Sequence, residues 1–334
     1  MSSILTRKSK SNKISFKIAV IAPSGSINEI SSLKLIAAGK LYKEFGIEIV
    51  YGQNCIENDL LGSSAIKSRV DDLHWAFMDK DIKAIMCATG GYNSNDLLPY
   101  IDWQVIKNNP KPFIGSSDIT VLINAIYKKT GVMTYFGPNF YKFGAELGLE
   151  YTLDYFYKSF FLHGDYSILP SSEWSEDKWY KNQKDRHFIL NKGYVICNPG
   201  IARGKIIGGN LCSLNLLQGT EYMPDLDSVI LCVEDDDLAG VYTFGEFYRN
   251  LHSLFQQPNA SKIKGVLIGR FLSNSNMTLD KIKFVVNSFP GLKNIPVIAN
   301  VDFGHTEPII TFPIGGIMEI KSLDNKVEIA VLRS

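Results

Sequence analysis

The chain has 334 residues, a length that favours two domains because a single hydrophobic core seldom grows that large. Its 35 Lys and Arg almost balance its 34 Asp and Glu, which excludes a strong net field for nucleic acid or an anionic membrane. Small neutral or zwitterionic partners fit this charge better. The five cysteines lack paired spacing and are interpreted as buried thiols of a reducing compartment.

The N-terminus imitates an export signal because basic residues precede an apolar run. That run, residues 18–22, is too short for such a signal, and Pro23-Ser-Gly25 after it is typical of a turn. No apolar stretch of the sequence approaches the roughly 20 residues that span a bilayer. The sequence therefore predicts a cytoplasmic protein without a membrane partner. The basic residues concerned are Arg7, Lys8, Lys10 and Lys13.

The first half alternates strand and helix patterns, which is typical of a parallel sheet covered by helices. Because right-handed crossovers bring the carboxyl ends of parallel strands to one edge, the loops at 89–95 and 115–120 should meet there. We assign residues 1–165 to this N-terminal α/β domain. The predicted strands are 17–22, 47–51, 82–87 and 112–115, and the predicted helices are 29–45, 66–78 and a stretch through Tyr127.

A polar segment at 171–187 follows a change of composition near residue 165. It has neither helical nor strand periodicity, yet it contains Trp174, Trp179 and Tyr180. Solvated linkers usually lack tryptophan, so these side chains should contact either a ligand or the protein beneath the loop. Residues 166–190 are therefore interpreted as a connecting substrate loop.

The remaining residues, 191–334, predict a mixed α/β domain rich in β-strands. A short helix should end near Leu217, and a longer one should run from 241 to 255. The last three strands leave no room for helices between them, which indicates hairpins at the end of the chain. The predicted strands are 193–197, 204–207, 229–233, 266–268, 297–301, 309–312, 317–320 and 327–332.

Ser117 stands where a short apolar strand reaches a glycine and then an amphipathic helix. Such a corner exposes a hydroxyl, and the N–H groups of the helix favour an oxyanion beside it, which makes Ser117 a candidate nucleophile. Serine also caps helices for structural reasons alone, so this segment leaves both interpretations open. The usual Gly-x-Ser-x-Gly elbow is incomplete because Ile119 replaces its last glycine.

A serine nucleophile needs a base, and His305 lies just beyond a buried strand and beside a glycine, where a sheet presents side chains to a cleft. Turn histidines are common, so a structural role stays open. Glu234 directly follows the strand 229–233 and is the acid that the sheet aims best to orient the base. The other histidines fall in helical patterns or beside the polar loop: His74, His163, His187 and His252.

The acidic run at 234–237 could alternatively hold a hard cation. It lacks the alternation of a calcium loop, and no histidine pair has metal-ligand spacing, so neither a metal nor another cofactor is expected. Residues 235–237 are interpreted as a solvated cluster. The N–H of Asp118 and an N–H of Gly90 or Gly91 could converge as an oxyanion hole.

Six segments occur in an order that is specific to one family: Ala22-Pro-Ser-Gly25, Thr89-Gly-Gly-Tyr-Asn-Ser-Asn95, Gly115-Ser-Ser-Asp-Ile-Thr120, Gly208-Gly-Asn-Leu211, Glu234-Asp235 and Gly304-His305. Together they resemble the LD-carboxypeptidase family of serine peptidases, most of all its microcin C immunity branch. The resemblance implies a Rossmann-like N-terminal parallel sheet with helices on both faces and a C-terminal domain that supplies Glu and His. It also implies a cytosolic homodimer that needs no metal.

Carried over position by position, the resemblance implies that Ser117 is the nucleophile, His305 the general base and acid, and Glu234 the carboxylate that orients it. The N–H groups of Gly91 and Asp118 would form the oxyanion hole. The predicted substrate-binding residues are Tyr92, Asn93, Trp174, Trp179 and Asn210.

These roles predict a serine carboxypeptidase-like hydrolase that cleaves an amide bond in a small peptide or aminoacyl-nucleotide through an acyl-enzyme. The loop at 171–187 favours the immunity branch, in which a loop aromatic stacks on the base of an aminoacyl-nucleotide; such stacking contributes about 1 to 3 kcal/mol. The alternatives are a murein tetrapeptide LD-carboxypeptidase that releases terminal D-alanine and a module that sequesters a nucleotide or peptide without turnover.

Overall fold

The structure is a computed structural model that describes residues 16–162 and 164–332. The predictions that concern the basic N-terminal residues and His163 lie outside these residues. Within them, no helix combines the length and apolar character needed to cross a membrane.

The described residues form sixteen strands and eight α-helices. The strands are β1 (Phe16–Ile21), β2 (Ile47–Tyr51), β3 (Ile82–Cys87), β4 (Phe113–Gly115), β5 (Thr134–Phe136), β6 (Tyr166–Ser167), β7 (Glu173–Trp174), β8 (Ile189–Leu190), β9 (Val195–Asn198), β10 (Gly200–Asn210), β11 (Val229–Glu234), β12 (Gly265–Gly269), β13 (Val297–Val301), β14 (Phe312–Ile314), β15 (Ile317–Leu323) and β16 (Lys326–Leu332). The helices are α1 (Lys34–Phe45), α2 (Ile66–Met78), α3 (Trp103–Asn108), α4 (Thr120–Thr130), α5 (Glu150–Phe160), α6 (Leu211–Asn215), α7 (Thr243–Phe255) and α8 (Leu279–Ser288).

A six-stranded sheet carries the N-terminal half, in the order β14-β5-β4-β3-β1-β2. Its strands β1 to β5 all pair in parallel, and the apolar runs of β1 and β3 are buried. Near-continuous apolar strands are typical of a parallel sheet that helices cover on both faces. The predicted α/β fold is thus confirmed, although α3, β5 and α5 were not predicted and the helix expected at 29–45 begins only at Lys34.

An eight-stranded sheet carries the second half, in the order β6-β16-β15-β10-β11-β12-β13-β9. Strands β10 to β13 pair in parallel, while β9 on one side and β15, β16 and β6 on the other pair antiparallel. This mixed sheet confirms the predicted strand-rich α/β half, and β15 and β16 form the predicted terminal hairpin.

The two sheets exchange edge strands. A strand was predicted at 309–312 and assigned to the C-terminal domain. The strand that forms there is β14 (Phe312–Ile314), and it pairs antiparallel with β5 in the N-terminal sheet. Phe312 stacks on Phe136, with ring centroids 5.0 Å apart, which gives the apolar strand a buried partner there. Conversely, β6 pairs with β16. The domain boundaries at 165 and 191 stay a prediction.

A tight seam between α4 and β10 fixes the two sheets relative to each other. The Asn124 side chain donates to the Gly208 carbonyl at 2.9 Å and accepts from the Gly208 N–H at 3.2 Å. Gly209 has a positive φ of 134°, and a β-carbon there would lie 2.4 Å from Thr120 Oγ1. Only glycine allows this approach, which brings the carboxyl ends of β4 and β11 together.

Candidate active site

Ser117 occupies a strained corner between β4 and α4. Its φ of 61° is in the left-handed region, which a residue with a β-carbon adopts only when its surroundings hold it there. A short 3₁₀ turn, Ser117–Ile119, then leads into the helix. The preceding Ser116 is buried and donates its backbone N–H to Asn139 Oδ1 at 3.1 Å. At this corner the Ser117 hydroxyl lies 3.2 Å from His305 Nε2.

The carboxylate of Asp118 ties this corner to two neighbouring loops. Its Oδ2 accepts from Ser24 Oγ at 2.5 Å and from the Ser94 N–H at 2.9 Å, and its side chain is buried. Ser94 Oγ also donates to the Asp118 carbonyl at 2.8 Å. A β-carbon on Gly90 would lie 2.9 Å from Ser117 Cβ, so this glycine lies directly against the corner.

Glu234 and His305 extend from the other sheet toward Ser117. Glu234 is the last residue of β11 and is fully buried, and its Oε2 lies 2.8 Å from His305 Nδ1. Because a carboxylate only accepts, Nδ1–H donates to it and leaves the Nε2 lone pair free for a hydroxyl proton. His305 Nε2 lies 3.2 Å from Ser117 Oγ. The structure thus brings the three predicted side chains into one hydrogen-bonded row.

Gly304 makes room for the Glu234–His305 pair. Its φ is 116°, and a β-carbon there would lie 2.9 Å from Glu234 Oε2. A side chain at this position would be strained and would contact the carboxylate. The glycine beside His305 is therefore a steric requirement of the site.

The charges around His305 favour its protonated form. Burial alone would lower the pKa of His305, but the Glu234 carboxylate outweighs it, and the pKa is raised above its ordinary value of 6.5. Asp236 acts in the same direction and the Lys142 ammonium against it. Burial, together with Glu234 and Asp236, raises the pKa of Asp235 to about 7.

The acidic run does not form the predicted solvated cluster. Asp235 is buried, and its Oδ1 accepts from Asn210 Nδ2 at 3.2 Å and from the Asp236 N–H at 3.1 Å. In the described part of the chain, no group of three or more His, Cys, Asp or Glu side chains is arranged to hold a metal ion.

Two of the predicted substrate-binding residues are occupied by the protein itself. The Asn93 carbonyl and its Oδ1 both accept from the buried guanidinium of Arg69, at 2.9 and 3.0 Å. Asn210 is buried and caps α6 by accepting from the Ser213 N–H at 2.9 Å. Both amides serve internal hydrogen bonds, and their contact with substrate stays a prediction. Tyr92 is 64% exposed, and its role stays a prediction.

The tryptophans of the loop differ from each other. Trp179 is only 2% exposed, stacks on Tyr141 with ring centroids 5.9 Å apart and donates Nε1–H to Glu307 Oε1 at 3.2 Å. In this conformation its ring and its N–H both contact the protein, and its contact with substrate stays a prediction. Trp174 is half-buried and lies 4.9 Å from the Arg270 guanidinium, so its contact with substrate stays a prediction.

Several buried residues beside the site were not predicted. Ser24 lies in the quoted Ala22-Pro-Ser-Gly25 segment, and Glu307 lies two residues beyond His305, so both had a positional signal. Lys142 had none, because a single lysine among aromatic residues gives no pattern. Its ammonium lies 2.5 Å from Glu307 Oε1, and both side chains are buried.

An α/β fold with serine, histidine and glutamate in line at strand ends is the arrangement of a serine hydrolase. Residues 18–137 match the LD-carboxypeptidase N-terminal domain, and residues 203–320 match the LD-carboxypeptidase C-terminal domain. The chain therefore belongs to the LD-carboxypeptidase family, whose members are serine peptidases, and the predicted resemblance is confirmed.

Similar proteins cover nearly the whole chain. The putative carboxypeptidase YocD of Bacillus subtilis is 44% identical over 92% of this chain and 94% of its own length. The crystal structure of an MccF-like protein from Bacillus anthracis has a TM-score of 0.94 at 48% identity and covers 96% of this chain and 97% of that one. These matches confirm the fold class and the hydrolase class.

Two further relatives represent the two branches. The microcin C7 self-immunity protein MccF of Escherichia coli is 32% identical over 84% of this chain and 83% of its own length. A structure of MccF in complex with glutamyl sulfamoyl guanosine has a TM-score of 0.83 at 27% identity and covers 96% of this chain and 97% of that one. A probable murein peptide carboxypeptidase of Bacillus subtilis is 26% identical over 89% of this chain and 86% of its own length.

Proposed function

We propose that this protein is a serine amidohydrolase that cleaves an amide bond in an aminoacyl-nucleotide or a small peptide, as a microcin C immunity type enzyme. The observation that carries the proposal is the hydrogen-bonded row from Ser117 through His305 to Glu234. Such a row activates a hydroxyl that is otherwise a weak nucleophile. We further propose that it acts in the cytoplasm as a homodimer, as the family resemblance implies.

In this mechanism, Ser117 Oγ attacks the scissile carbonyl while His305 Nε2 takes its proton. Glu234 holds the imidazole by Nδ1 and stabilises the imidazolium that forms. His305 returns the proton to the leaving amine, and water then releases the acyl group from Ser117 by the same route. The N–H groups of Gly91 and Asp118 are proposed to stabilise the oxyanion of both tetrahedral intermediates.

The choice of an aminoacyl-nucleotide rests on the relatives. MccF binds glutamyl sulfamoyl guanosine and aspartyl sulfamoyl adenosine in crystal structures that this chain matches over most of its length. The exposed ring of Tyr92 and the half-buried ring of Trp174 are the aromatic surfaces proposed to accept a base. The murein tetrapeptide reaction is the second candidate, supported by the relative named as a probable murein peptide carboxypeptidase.

A fluorophosphonate probe tests the nucleophile. The wild type and S116A should be labelled, and S117A should not, because Ser116 donates through its backbone N–H and its hydroxyl is not in the row. Equal labelling of S117A and wild type would refute the assignment.

The labelling rate should also depend on pH with a known sign. Only neutral His305 can take the Ser117 proton, and the Glu234 carboxylate raises the pKa of His305 above 6.5. Labelling should therefore increase with pH, with a midpoint above 6.5. Rates that fall over the same range would contradict a histidine base.

The substrate class is tested by incubating the enzyme with an L,D-tetrapeptide and, separately, with an aminoacyl sulfamoyl adenosine, with products identified by mass. Cleavage of the adenosine compound supports the immunity type. Cleavage of the tetrapeptide alone would support the murein reaction. Recovery of both compounds unchanged from unlabelled enzyme, of which a separate sample reacts with the probe, would support sequestration without turnover.

A further inference from the structure

Glu307 is the meeting point of three segments beside the candidate active site. Its Oε1 contacts Lys142 Nζ at 2.5 Å and accepts from Trp179 Nε1 at 3.2 Å. Its backbone forms an isolated antiparallel bridge with Ser175, in which each N–H donates to the other carbonyl at 2.8 Å. One residue thus joins the turn at 140–144, the loop at 171–191 and the segment that carries His305.

The Glu307 carboxylate would be unfavourable at this place without its partners. Its side chain and that of Lys142 are each only 8% exposed, and a buried charge needs a close opposite charge and hydrogen bonds. The ammonium and the indole N–H supply both. Trp179 is held in turn by its ring, which stacks on Tyr141 at an interplanar angle of 8°. The contacts of Glu307 with Lys142 and Trp179, and of Trp179 with Tyr141, therefore depend on one another.

The loop at 171–191 has a second anchor near its two ends. Asp302 Oδ2 accepts from the Ser171 N–H at 2.8 Å, and Asp302 Oδ1 accepts from Asn191 Nδ2 at 3.2 Å. Asp302 lies three residues before His305 and Glu307 two residues after it. The loop is consequently attached to the histidine segment on both sides of the imidazole.

We propose that Glu307 is a positioning residue for His305, and that it makes the alignment of His305 with Ser117 depend on the docked state of the 171–191 loop. The loop acts through Trp179 and Ser175 on Glu307, and Glu307 acts on the segment that presents the imidazole. The proposal rests on the proposed role of His305 as the base. It gives Trp179 a function inside the protein in addition to its predicted contact with substrate.

The charges that act on His305 provide a readout beyond stability. Glu234, Asp235 and Asp236 face it from the end of β11, Lys142 faces it from the 140–144 turn, and Glu307 lies on its own segment. Neutralising Glu307 would leave the Lys142 ammonium without its counterion near the imidazole. Protonated His305 would then be less favourable.

The test measures the fluorophosphonate labelling rate of the full chain from pH 5 to 9 in W179F, E307Q and K142M, with K178M as the matched control. Lys178 lies in the same loop but is exposed, so K178M should label like wild type. W179F keeps an aromatic ring beside Tyr141 but removes the indole N–H together with the five-membered ring, so its plateau rate should fall by ~10-fold or more with an unchanged midpoint. E307Q should lower both the plateau rate and the midpoint, and K142M should raise the midpoint.

E307Q preserves the size of its side chain, whereas W179F makes its side chain smaller, so the two variants decide the outcome together and thermal melting checks that each is folded. Plateau rates and midpoints equal to those of wild type in both folded variants would overturn the proposal. A loss of melting temperature without a change in either readout would show a structural role only. If H305A labels as fast as wild type, the proposed function fails instead, which keeps the two failures distinguishable.

Discussion

The corner at Ser117 and the loop at 171–191 both contact the segment that carries His305 but are held by opposite means. The corner is built from small residues: Gly90 lies against Ser117, and Ser24 donates to Asp118 at 2.5 Å. The loop is held by large aromatic rings and buried charges, of which Arg270–Asp302 is one pair. The corner should therefore tolerate no added atoms, and the loop should tolerate no lost charges.

The largest effect is expected from R270M at the loop. The Arg270 guanidinium lies 3.1 Å from Asp302 Oδ1, and Asp302 is only 1% exposed, so the variant leaves a buried carboxylate without its cation. The free energy of unfolding in urea should fall by about 3 to 5 kcal/mol. The matched control is R249M, whose exposed pair with Glu246 should contribute less than about 1 kcal/mol. Similar losses in both variants would contradict the electrostatic account of the loop.

At the corner, one added methyl group should lower the labelling rate more than it lowers the stability of the fold. In G90A the new β-carbon would lie 2.9 Å from Ser117 Cβ and 3.1 Å from Ser117 Oγ, so the nucleophile must shift. The labelling rate should fall by ~100-fold, as expected for a misplaced reacting group. G39A, on an exposed face of α1 with nothing within 4 Å, should leave the rate unchanged and stabilise the helix by ~1 kcal/mol. Wild-type labelling of G90A would disprove the steric account.

The difference between the corner at Ser117 and the loop at 171–191 also explains what the sequence could and could not predict. Ser117, Glu234 and His305 each follow an apolar run, so local patterns sufficed to single them out at strand ends. Their meeting across two sheets depends on the seam between α4 and β10, which those patterns do not show. The edge strand β14 could not be assigned to its sheet, because its pairing with β5 depends on a contact between Phe312 and Phe136, far apart in the sequence.

The loop was less predictable because its anchors are distant and leave no periodic pattern. The burial of Trp179 requires Tyr141 and Glu307, which lie 38 and 128 residues away in the chain. Its composition indicated only that the indoles contact something, and the choice between ligand and protein needed coordinates. The internal contacts of the two asparagines could not be predicted for a related reason, since a loop amide that caps a helix or binds an arginine has the same local sequence as one that binds a ligand.

Two buried serines test how much the charge of Asp118 stabilises the corner, and their expected effects are smaller. Ser24 Oγ donates to a carboxylate at 2.5 Å, whereas Ser63 Oγ donates to the neutral Ser24 carbonyl at 2.6 Å, and both side chains are buried. Charge-assisted hydrogen bonds are the stronger kind, so S24A should lower the free energy of unfolding by about 2 kcal/mol and S63A by about 1 kcal/mol. Equal losses in urea denaturation would show that the charge of Asp118 adds nothing at this corner.

The smallest effect is expected at Trp174, whose half-buried ring contacts the buried Arg270 in the loop region. Its ring lies 4.9 Å from the Arg270 guanidinium, a cation–π distance that contributes about 0.5 to 1 kcal/mol when the pair is partly solvated. W174L should lower the free energy of unfolding by that amount, and a double-mutant cycle with R270M, which removes the cation, isolates the pair. If Trp174 also stacks on a base, W174L should raise the KM for an aminoacyl sulfamoyl adenosine and leave that for a tetrapeptide unchanged. Equal KM changes for both substrates would assign Trp174 to the loop anchor alone.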